Sequence, residues 1–438
     1  MRYVLYGVLW IGLYFLLVVA PLLVLMIGPV PPGRGFWREL SVGFGFVGLS
    51  MMGLQFFLTG RFRRITSPFG IDVVYHFHRQ ISLITLLFIF LHVFILVVTS
   101  PREFSWLNPA SAPLSTLAGM AGLLAMILLV VLSLKRKPFR LKYEPWRISH
   151  GLLAIAGVGL SLVHIELVGY YVQGILKRGF WISLVCTWVL ALLYIRIAKP
   201  IAMLRHPYTV REVVKERGNT WTLVLKPDGH KGMMFQPGQF AWLKLERSPF
   251  AMREHPFSFS SSAMKSDEIG ISIKELGDFT SRIGTVVPGT RAYVDGPYGT
   301  FTVDRHRSPG YVFVAGGVGI TPVISILRTL ADRQDQRPLH LFYGSKLWEE
   351  VTFREELDVL KQRLDLKIVY VISNPQEDWK GEKGLISAEI MARHLPLNRL
   401  ECEYFICGPE LMQKEVKNSL EKLGISLDSV QSESFNFV

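Results

Sequence analysis

Two stretches of the amino-acid sequence share one pattern: HRQISLITLLFIFLH at residues 78–92 and HGLLAIAGVGLSLVH at residues 150–164. Each is mainly apolar and carries two histidines 14 positions apart. In an α-helix, 14 residues complete almost four turns, so both imidazoles lie on one helix face, about 21 Å apart along the axis. Two such helices side by side would hold two stacked pairs of histidines.

This arrangement favours two haems over a metal cage. A divalent metal ion needs its ligands clustered around one point, whereas a histidine on each side suits axial ligation of haem iron. A lone histidine in an apolar helix is usually a packed or hydrogen-bonded residue, but that interpretation leaves the identical spacing unexplained. An ionisable residue within a membrane span is also a candidate functional residue, because burying it without a partner is costly.

The rest of the apolar half predicts a membrane domain. Half of the 438 residues are hydrophobic. Residues 1–198 contain six apolar runs, each near the length of about 20 residues that a helix needs to cross a bilayer. The first run lacks a preceding basic region and an Ala-x-Ala site, so we expect a retained span rather than a cleaved signal. The predicted spans are Tyr3–Met26, Ser41–Gly60, Gln80–Ser100, Pro113–Leu134, Ile148–Tyr171 and Gly179–Ile197.

Lysine and arginine collect after the second, fourth and sixth spans, which predicts that these loops are cytoplasmic. Both termini and the soluble half are then cytoplasmic, and the protein is integral to the cell membrane. Attraction to anionic membrane lipid explains the net charge of +13, so nucleic acid is not an expected partner. The three cysteines do not predict a disulfide, because Cys402 and Cys407 fall in the cytoplasmic half.

In this topology the third and fifth spans run in the same direction. His78 is therefore expected opposite His150 near the cytoplasmic surface, and His92 opposite His164 nearer the outside. His76 is the alternative to His78, although it would turn the two imidazoles of its span onto different faces. Two arginines beside the inner pair are candidates to pair with haem propionates or to anchor at the interface: Arg79 and Arg147.

From about Leu204 onwards, short alternating strands such as Thr220–Lys226 and Phe240–Leu245 predict a small antiparallel barrel. Within it, HPFS at residues 255–258 can lay an aromatic ring along a flat ring system while Ser258 hydrogen-bonds a ring nitrogen. The run IKELGDFT at residues 273–280 predicts a strand, a tight turn and a helix start, where free backbone amides suit a phosphate.

A nucleotide-binding βαβ unit is predicted further along. The strand Tyr311–Ala315 precedes Gly316-Gly317-Val318-Gly319, whose backbone allows close approach of a pyrophosphate. Thr321 is the expected N-cap, with Pro322 at the first helical position, followed by a helix over Val323–Leu330.

The second strand of this unit, Leu339–Tyr343, leads to Ser345 and Lys346, which suit a 2′-phosphate. Since no acid is present there for a ribose 2′-hydroxyl, NADPH is favoured over NADH. Cys407-Gly408-Pro409 follows the strand Tyr404–Ile406, at the carboxyl end where ligands of open α/β sheets bind. Cys407 is alternatively a small buried hydrophobic residue.

Taken together, these residues resemble the NADPH oxidase and ferric reductase family over nearly the whole chain. The motifs that carry the resemblance are the two histidine pairs, HPFS at 255–258, IKxxGDFT at 273–280, GPYG at 296–299, AGGVGITP at 315–322, CGP at 407–409 and the terminal aromatic residues. The fold implied is a six-helix transmembrane bundle at residues 1–200, an antiparallel β-barrel FAD domain at 205–305, and an α/β parallel-sheet NAD(P)H domain at 308–438.

The resemblance implies a role for each matching residue. His78 with His150, and His92 with His164, would ligate two b-type haems. FAD would be held by His255, Pro256, Phe257, Ser258, Lys274, Gly277 and Thr280. NADPH would be held by Gly316, Gly317, Gly319, Thr321, Ser345 and Lys346, with Cys407, Gly408 and Pro409 near the nicotinamide. Phe437 would stack on the flavin, although Val438 follows it and Phe435 is a rival for that role.

The implied activity is electron transfer from NADPH through FAD and the two haems to an acceptor outside the membrane. Dioxygen, giving superoxide, is the favoured acceptor, and a ferric chelate is the alternative. Residues 93–97, after His92, are apolar and offer no polar oxygen pocket. Three arginines on predicted outer loops would suit an anionic metal chelate: Arg34, Arg38 and Arg102. A haem-based sensor or a membrane scaffold would leave the flavin and glycine-rich motifs unexplained.

Overall fold

The computed structural model describes residues 2–66, 69–100, 108–245 and 248–433 of the chain. The chain divides into two compact units, and the boundary lies between Ala198 and Lys199.

The first unit consists of long apolar helices, six of which are long and apolar enough to cross a membrane. The prediction of a six-helix membrane domain is confirmed. The helices are α1 (Arg2–Leu25), α2 (Phe36–Thr59), α3 (Ile71–Thr99), α4 (Leu114–Leu134), α5 (Tyr143–Val168) and α6 (Ile175–Leu193). A four-residue turn, Arg63–Thr66, follows α2, and a π-helical turn, Tyr194–Ala198, follows α6.

Several helices begin earlier than their apolar runs. Helix α3 begins at Ile71 rather than Gln80, and α5 at Tyr143 rather than Ile148. Polar side chains such as Arg79 end a run of high hydropathy, but the i→i−4 backbone hydrogen bonds continue whatever the side chain is. All four predicted haem ligands therefore lie inside helices.

Packing in this unit is mainly between neighbours in sequence: α2 lies against α3, and α4 against α5. The buried cluster between the pairs contains Leu49, Met52 and Met126, and it extends to Trp181 and Trp188 of α6. The two histidine-bearing helices are thus each backed by the helix that precedes them.

The second unit starts with a short helix, Lys199–Leu204, and continues as an antiparallel barrel. Its strands are β1 (Tyr208–Glu216), β2 (Thr220–Pro227), β3 (Phe240–Lys244), β4 (His255–Ser258), β5 (Ile269–Lys274) and β6 (Arg291–Tyr298), in the order β4-β3-β6-β1-β2-β5. A bridge between Phe259 and Ile271 joins the two edges, and Ser260 N–H donates to Gly270 O at 2.8 Å. The predicted barrel is therefore present and closed.

The chain then forms a parallel six-stranded sheet in the order β10-β9-β8-β7-β11-β12, as predicted for the third domain. The strands are β7 (Tyr311–Gly316), β8 (Leu339–Ser345), β9 (Leu366–Ile372), β10 (Glu382–Lys383), β11 (Glu403–Cys407) and β12 (Val430–Glu433). The helices are α7 (Ile320–Asp332), α8 (Arg354–Arg363), α9 (Ala388–His394) and α10 (Glu410–Lys422). Because β8 and β11 flank β7, the strand order reverses there, which is where open α/β sheets bind ligands.

The expected capping role of Thr321 is wrong. Helix α7 begins at Ile320, Gly319 occupies the capping position, and the Thr321 hydroxyl donates to Val318 O at 2.9 Å within the first turn. The three-residue helical turn Gly317–Gly319 leads directly into α7, so the helix starts before the threonine.

Helix α7 also joins the barrel to the parallel sheet. The Ser325 hydroxyl donates to Ser261 O at 2.8 Å, and Arg328 Nη1 donates to Ser260 O at 2.6 Å. Arg328 is itself paired with Glu356 of α8 at 2.6 Å. The two folds of the second unit therefore share an interface built on one helix.

The core of the parallel-sheet domain depends on Phe405 of β11. Its ring contacts Phe301, Tyr311 and Phe313, with ring centres 5.2, 5.8 and 5.7 Å away. We expect Phe405→Ala to destabilise the domain by about 3–5 kcal/mol, the cost of emptying a buried aromatic site. The measurement is thermal unfolding of the purified chain. Leu397→Ala, at a fully exposed position, is the control, and equal melting of the two variants would contradict this account.

Candidate functional site

The structure places the four histidines of α3 and α5 as two facing pairs. The ring centres of His78 and His150 are 6.3 Å apart, and those of His92 and His164 are 6.2 Å apart. When two imidazoles bind one metal ion from opposite sides, each metal–nitrogen bond is about 2 Å long and each ring centre lies beyond its nitrogen. The two ring centres are then roughly 6 Å apart. Each pair therefore has the separation that one haem iron needs.

The Nδ1 atom of every one of these histidines is hydrogen-bonded to the preceding helix. His78 Nδ1 donates to Gln55 Oε1 (2.6 Å), and His92 Nδ1 donates to Ser41 O (2.8 Å). The same pattern joins α5 to α4, where His150 contacts Ser133 Oγ (3.1 Å) and His164 contacts Ser115 O (2.7 Å). Because Nδ1 carries the proton, Nε2 keeps the lone pair that a metal requires.

The histidine pairs fit haem in their donor chemistry as well. Among the residues that the structure describes, no group of three His, Cys, Asp or Glu side chains is arranged to hold a metal ion. Two facing imidazoles, each hydrogen-bonded at Nδ1, are instead a donor set that fits haem iron. Of the two candidate propionate partners, Arg79 is exposed and Arg147 is half-buried, three residues before His150.

The helices approach closely where glycines face His92 and His164. A Cβ on Gly45 would lie 3.2 Å from His92 Nδ1, and a Cβ on Gly119 would lie 2.9 Å from His164 Nδ1. A larger residue at either position would displace the imidazole. These glycines thus permit the hydrogen bonds that hold this second pair of histidines.

Helices α2 and α4, which pack against the two histidine-bearing helices, carry a repeated motif. Residues 41–52 read SVGFGFVGLSMM and residues 115–126 read STLAGMAGLLAM, which share S-x3-G-x2-G-x3-M. In both copies the serine carbonyl accepts a hydrogen bond from a histidine, His92 or His164, and the glycine four residues after the serine lies against the ring of that histidine. The signal was present in the sequence, but its meaning depends on knowing which residues contact the imidazoles.

A polar network lies at the start of α2, on the side of the His92 pair. Arg34 Nε donates to the Tyr171 hydroxyl (3.3 Å), and that hydroxyl donates to Glu39 Oε1 (2.8 Å). The Arg34 guanidinium also lies 3.9 Å from the ring centre of Tyr170. Lys177 is buried and donates to Pro29 O (2.8 Å). Arg34 and Lys177 are therefore engaged in holding the loops together.

In the barrel, the two predicted flavin motifs come together through their aromatic rings. The His255 ring stacks on Phe279 with 4.1 Å between centres, and Phe257 lies nearly parallel to Phe279 at 6.1 Å. Pro256 lies between His255 and Phe257 on β4, and Lys274 ends β5. The Ser258 hydroxyl is buried and has no hydrogen-bond partner among the described residues, which fits a ring nitrogen of a bound flavin.

The turn after β5 is organised around Thr280, which begins a short 3₁₀ helix, Thr280–Thr285. Its hydroxyl oxygen accepts hydrogen bonds from the N–H groups of Leu276 (2.8 Å) and Gly277 (2.9 Å). Trp221 Nε1 donates to Glu275 Oε1 at 2.6 Å, which fixes the start of the turn. Trp221 is a supporting residue that the sequence motif did not identify.

The predicted nucleotide residues meet at the carboxyl edge of the parallel sheet. Gly316 ends β7 and aligns with Gly344 of β8, while Ala315 aligns with Cys407 of β11. A Cβ on Gly319 would lie 2.2 Å from Cys407 O, so this glycine is required by the packing of the turn. The remaining predicted residues lie at the same edge: Gly317 and Thr321 after β7, Ser345 and Lys346 at the end of β8, and Gly408 and Pro409 after β11.

Cys407 has an acidic neighbour that the sequence analysis did not single out. Glu433 is its partner in the β11–β12 register, and a Cβ on Gly299 of the GPYG turn would lie 2.9 Å from Glu433 Oε1. Burial raises the pKa of the Cys407 thiol well above its usual value, and the nearby Glu433 carboxylate raises it further. The thiol is therefore protonated at neutral pH, which suits an uncharged neighbour of a nicotinamide rather than a nucleophile.

The proposed flavin-stacking residue Phe437 and its rival Phe435 lie outside the described residues, as does Arg102.

Three family profiles match successive parts of the chain. The ferric reductase like transmembrane component matches residues 44–161, an FAD-binding domain matches residues 219–302, and the oxidoreductase NAD-binding domain matches residues 313–418. The match in the first unit contains His78, His92 and His150, and it ends three residues before His164. The matches in the second unit cover both predicted cofactor-binding folds.

Among curated proteins, the chain is 31% identical to NADH-cytochrome b5 reductase 1 of Candida glabrata over 39% of its own length and 63% of that protein. It is 29% identical to the glycine betaine monooxygenase reductase subunit of Chromohalobacter salexigens over 53% of its own length and 64% of that protein. The chain therefore spans a little under two thirds of these relatives.

A solved structure, the flavohem-like FAD/NAD-binding domain of nitric oxide dioxygenase from Vibrio cholerae, aligns with 52% of this chain and 97% of its own, at 23% identity and a TM-score of 0.47. The second unit combines the two domains of an NAD(P)H-dependent oxidoreductase, and six apolar helices precede them. This succession of a ferric-reductase-like membrane domain, an FAD-binding domain and an NAD-binding domain is the architecture of the NADPH oxidase and ferric reductase family, and the chain has it.

Proposed function

We propose that the chain is a transmembrane NADPH oxidase, which carries electrons from cytoplasmic NADPH by way of FAD and two b-type haems to dioxygen on the outer face, giving superoxide. The observation that carries this proposal is the pair of facing histidine sites, each with ring centres just over 6 Å apart and with Nδ1 hydrogen-bonded. Two such sites along α3 and α5 provide stepping positions through an apolar bundle.

Each cofactor has a separate part in the proposed electron transfer, because the electron donor and the electron acceptors exchange different numbers of electrons. NADPH gives up two electrons as a hydride and haem iron takes one at a time, and bound FAD supplies the conversion between the two. His78 with His150, and His92 with His164, would hold the two haem irons. Ser258 orients the flavin ring, while Gly277 and Thr280 shape the turn for its phosphates. The protonated thiol of Cys407 and the neighbouring Glu433 flank the nicotinamide.

The outer polar network favours a small neutral acceptor. An anionic ferric chelate would be attracted by free cations, but Arg34 is bonded to Tyr171 and stacked on Tyr170, and Lys177 is buried against Pro29 O. Glu39 adds a negative charge at the same place. Dioxygen needs no electrostatic attraction. Ferric-chelate reduction through the same haems is the second candidate.

The direct test supplies NADPH in air to the purified chain containing haem and FAD. We expect cytochrome c reduction that superoxide dismutase abolishes, because free superoxide would be the reductant. The control is the same assay without NADPH. If dismutase has no effect while a ferric chelate is reduced rapidly, the oxidase proposal is wrong and the reductase alternative stands.

Replacing one outer ligand should separate the haems from the flavin. In His92→Leu, we expect one haem per chain instead of two and loss of transfer to the external acceptor, while NADPH still reduces the flavin. Haem content by the pyridine haemochrome method and anaerobic flavin bleaching are the measurements. The matched control His76→Leu should keep both haems; one haem lost there, or both kept in His92→Leu, would refute the ligand assignment.

Lys346 should determine the preference for NADPH. Its ammonium group follows β8 at the carboxyl edge and is exposed, so it can pair with a 2′-phosphate. A charge-assisted hydrogen bond of about 1.5–3 kcal/mol predicts that Lys346→Ala raises the KM for NADPH by about ten- to a hundredfold and leaves the KM for NADH nearly unchanged. Lys367→Ala, at the amino end of β9, is the control. An equal effect on both nucleotides would exclude a 2′-phosphate contact.

A further inference from the structure

The two histidine pairs differ in the chemical nature of their Nδ1 partners. Both outer histidines, His92 and His164, are bonded to main-chain carbonyls. The Ser41 hydroxyl, which donates to His92 O at 2.8 Å, also lies 3.0 Å from His92 Nδ1. Both inner histidines are bonded to side chains, His78 to Gln55 and His150 to Ser133. A main-chain carbonyl is present whatever residue occupies the position, whereas a side-chain partner is specified by the residue itself.

The repeated motif of α2 and α4 shows where the two halves diverge. Ser41 and Ser115 occupy equivalent positions, and Gln55 lies 14 residues after Ser41. The residue 14 positions after Ser115 is Leu129, which has no polar side chain. Instead, the Ser133 hydroxyl donates to Leu129 O at 2.7 Å and lies 3.1 Å from His150 Nδ1. The inner pair is therefore held by one amide and one hydroxyl.

The direction of these hydrogen bonds follows from the donors present. Gln55 Oε1 can only accept, so His78 Nδ1 donates to it at 2.6 Å. Ser133 uses its hydrogen toward Leu129 O, so its oxygen accepts from His150 Nδ1. An imidazole that donates from Nδ1 is a more basic ligand at Nε2, which stabilises ferric over ferrous iron. The short amide contact has the larger effect, since the hydroxyl contact is longer.

We propose that Gln55 and Ser133 are positioning residues that set the reduction potential of the inner haem separately from that of the outer haem. This inference rests on the proposed function, because it requires a haem between each histidine pair. Gln55 lowers the reduction potential of the inner haem more strongly than Ser133 does. The potential of the outer haem is insensitive to loss of the Ser115 hydroxyl, because His164 is bonded to the main-chain carbonyl of that residue.

The test is spectroelectrochemical titration of the purified full-length chain with both haems bound. Q55L should shift one of the two haem components to a higher reduction potential. At a given applied potential, the ferric-to-ferrous ratio of that component should change by about tenfold, which equals about 59 mV for a one-electron couple. S133A should shift the same component by less. S133T keeps a hydroxyl that can bond the i−4 carbonyl, and it should restore the potential of the unmodified chain. S115A keeps its carbonyl and should shift neither component.

The possible results distinguish a failure of the proposed function from a failure of the inference about Gln55 and Ser133. The component missing in a His78→Leu variant identifies the inner haem. A wild-type chain without two haem components would refute the proposed function rather than this inference. Two components in the wild type, with no shift or an equal shift of both in Q55L, would overturn the inference. If Q55L fails to retain haem, the comparison of S133A with S133T decides, and equal potentials in those two variants would overturn it.

Discussion

The separation of the paired imidazoles is the constraint on which the membrane unit depends. In the proposed function, a haem iron would bind between two imidazoles only if both helices hold their histidines at one distance and with Nε2 unprotonated. The hydrogen bonds from α2 to α3 and from α4 to α5 meet both conditions, because each fixes a ring and its tautomer together. The close packing of each histidine helix on its predecessor follows from this requirement, as do the glycines at 45 and 119.

The same two-helix arrangement is used twice, and its differences carry chemical meaning. Both copies place a serine carbonyl and a glycine against the outer imidazole. The inner imidazoles meet Gln55 in one copy and Ser133 in the other. His92 and His164 thus share a carbonyl acceptor, to which the Ser41 hydroxyl adds a second contact at His92, while the partners of His78 and His150 differ in kind. In the proposed electron path, the two haems would thereby have distinct potentials within a nearly repeated scaffold.

The second unit gathers its polar groups at one edge of a parallel sheet. Strands β7, β8 and β11 run in the same direction, so the glycine turn, Lys346 and Cys407 meet at their carboxyl ends. The β12 strand adds Glu433 beside Cys407, close to Gly299, which directly follows β6. Helix α7 binds this sheet to the barrel through Ser325 and Arg328. Flavin and nicotinamide sites thus belong to one packed body.

The six spans, the barrel, the parallel sheet and the paired spacing of the four histidines could be predicted from the amino-acid sequence, because hydropathy, strand alternation and a 14-residue spacing are local properties of the chain. The starts of α3 and α5 and the cap of α7 were predicted wrongly, since side-chain polarity and backbone hydrogen bonding disagree there. The contacts of Gln55, Ser133 and Glu433 with the predicted residues became evident from the folded chain alone, because they join segments 17 or more positions apart and leave no periodic pattern.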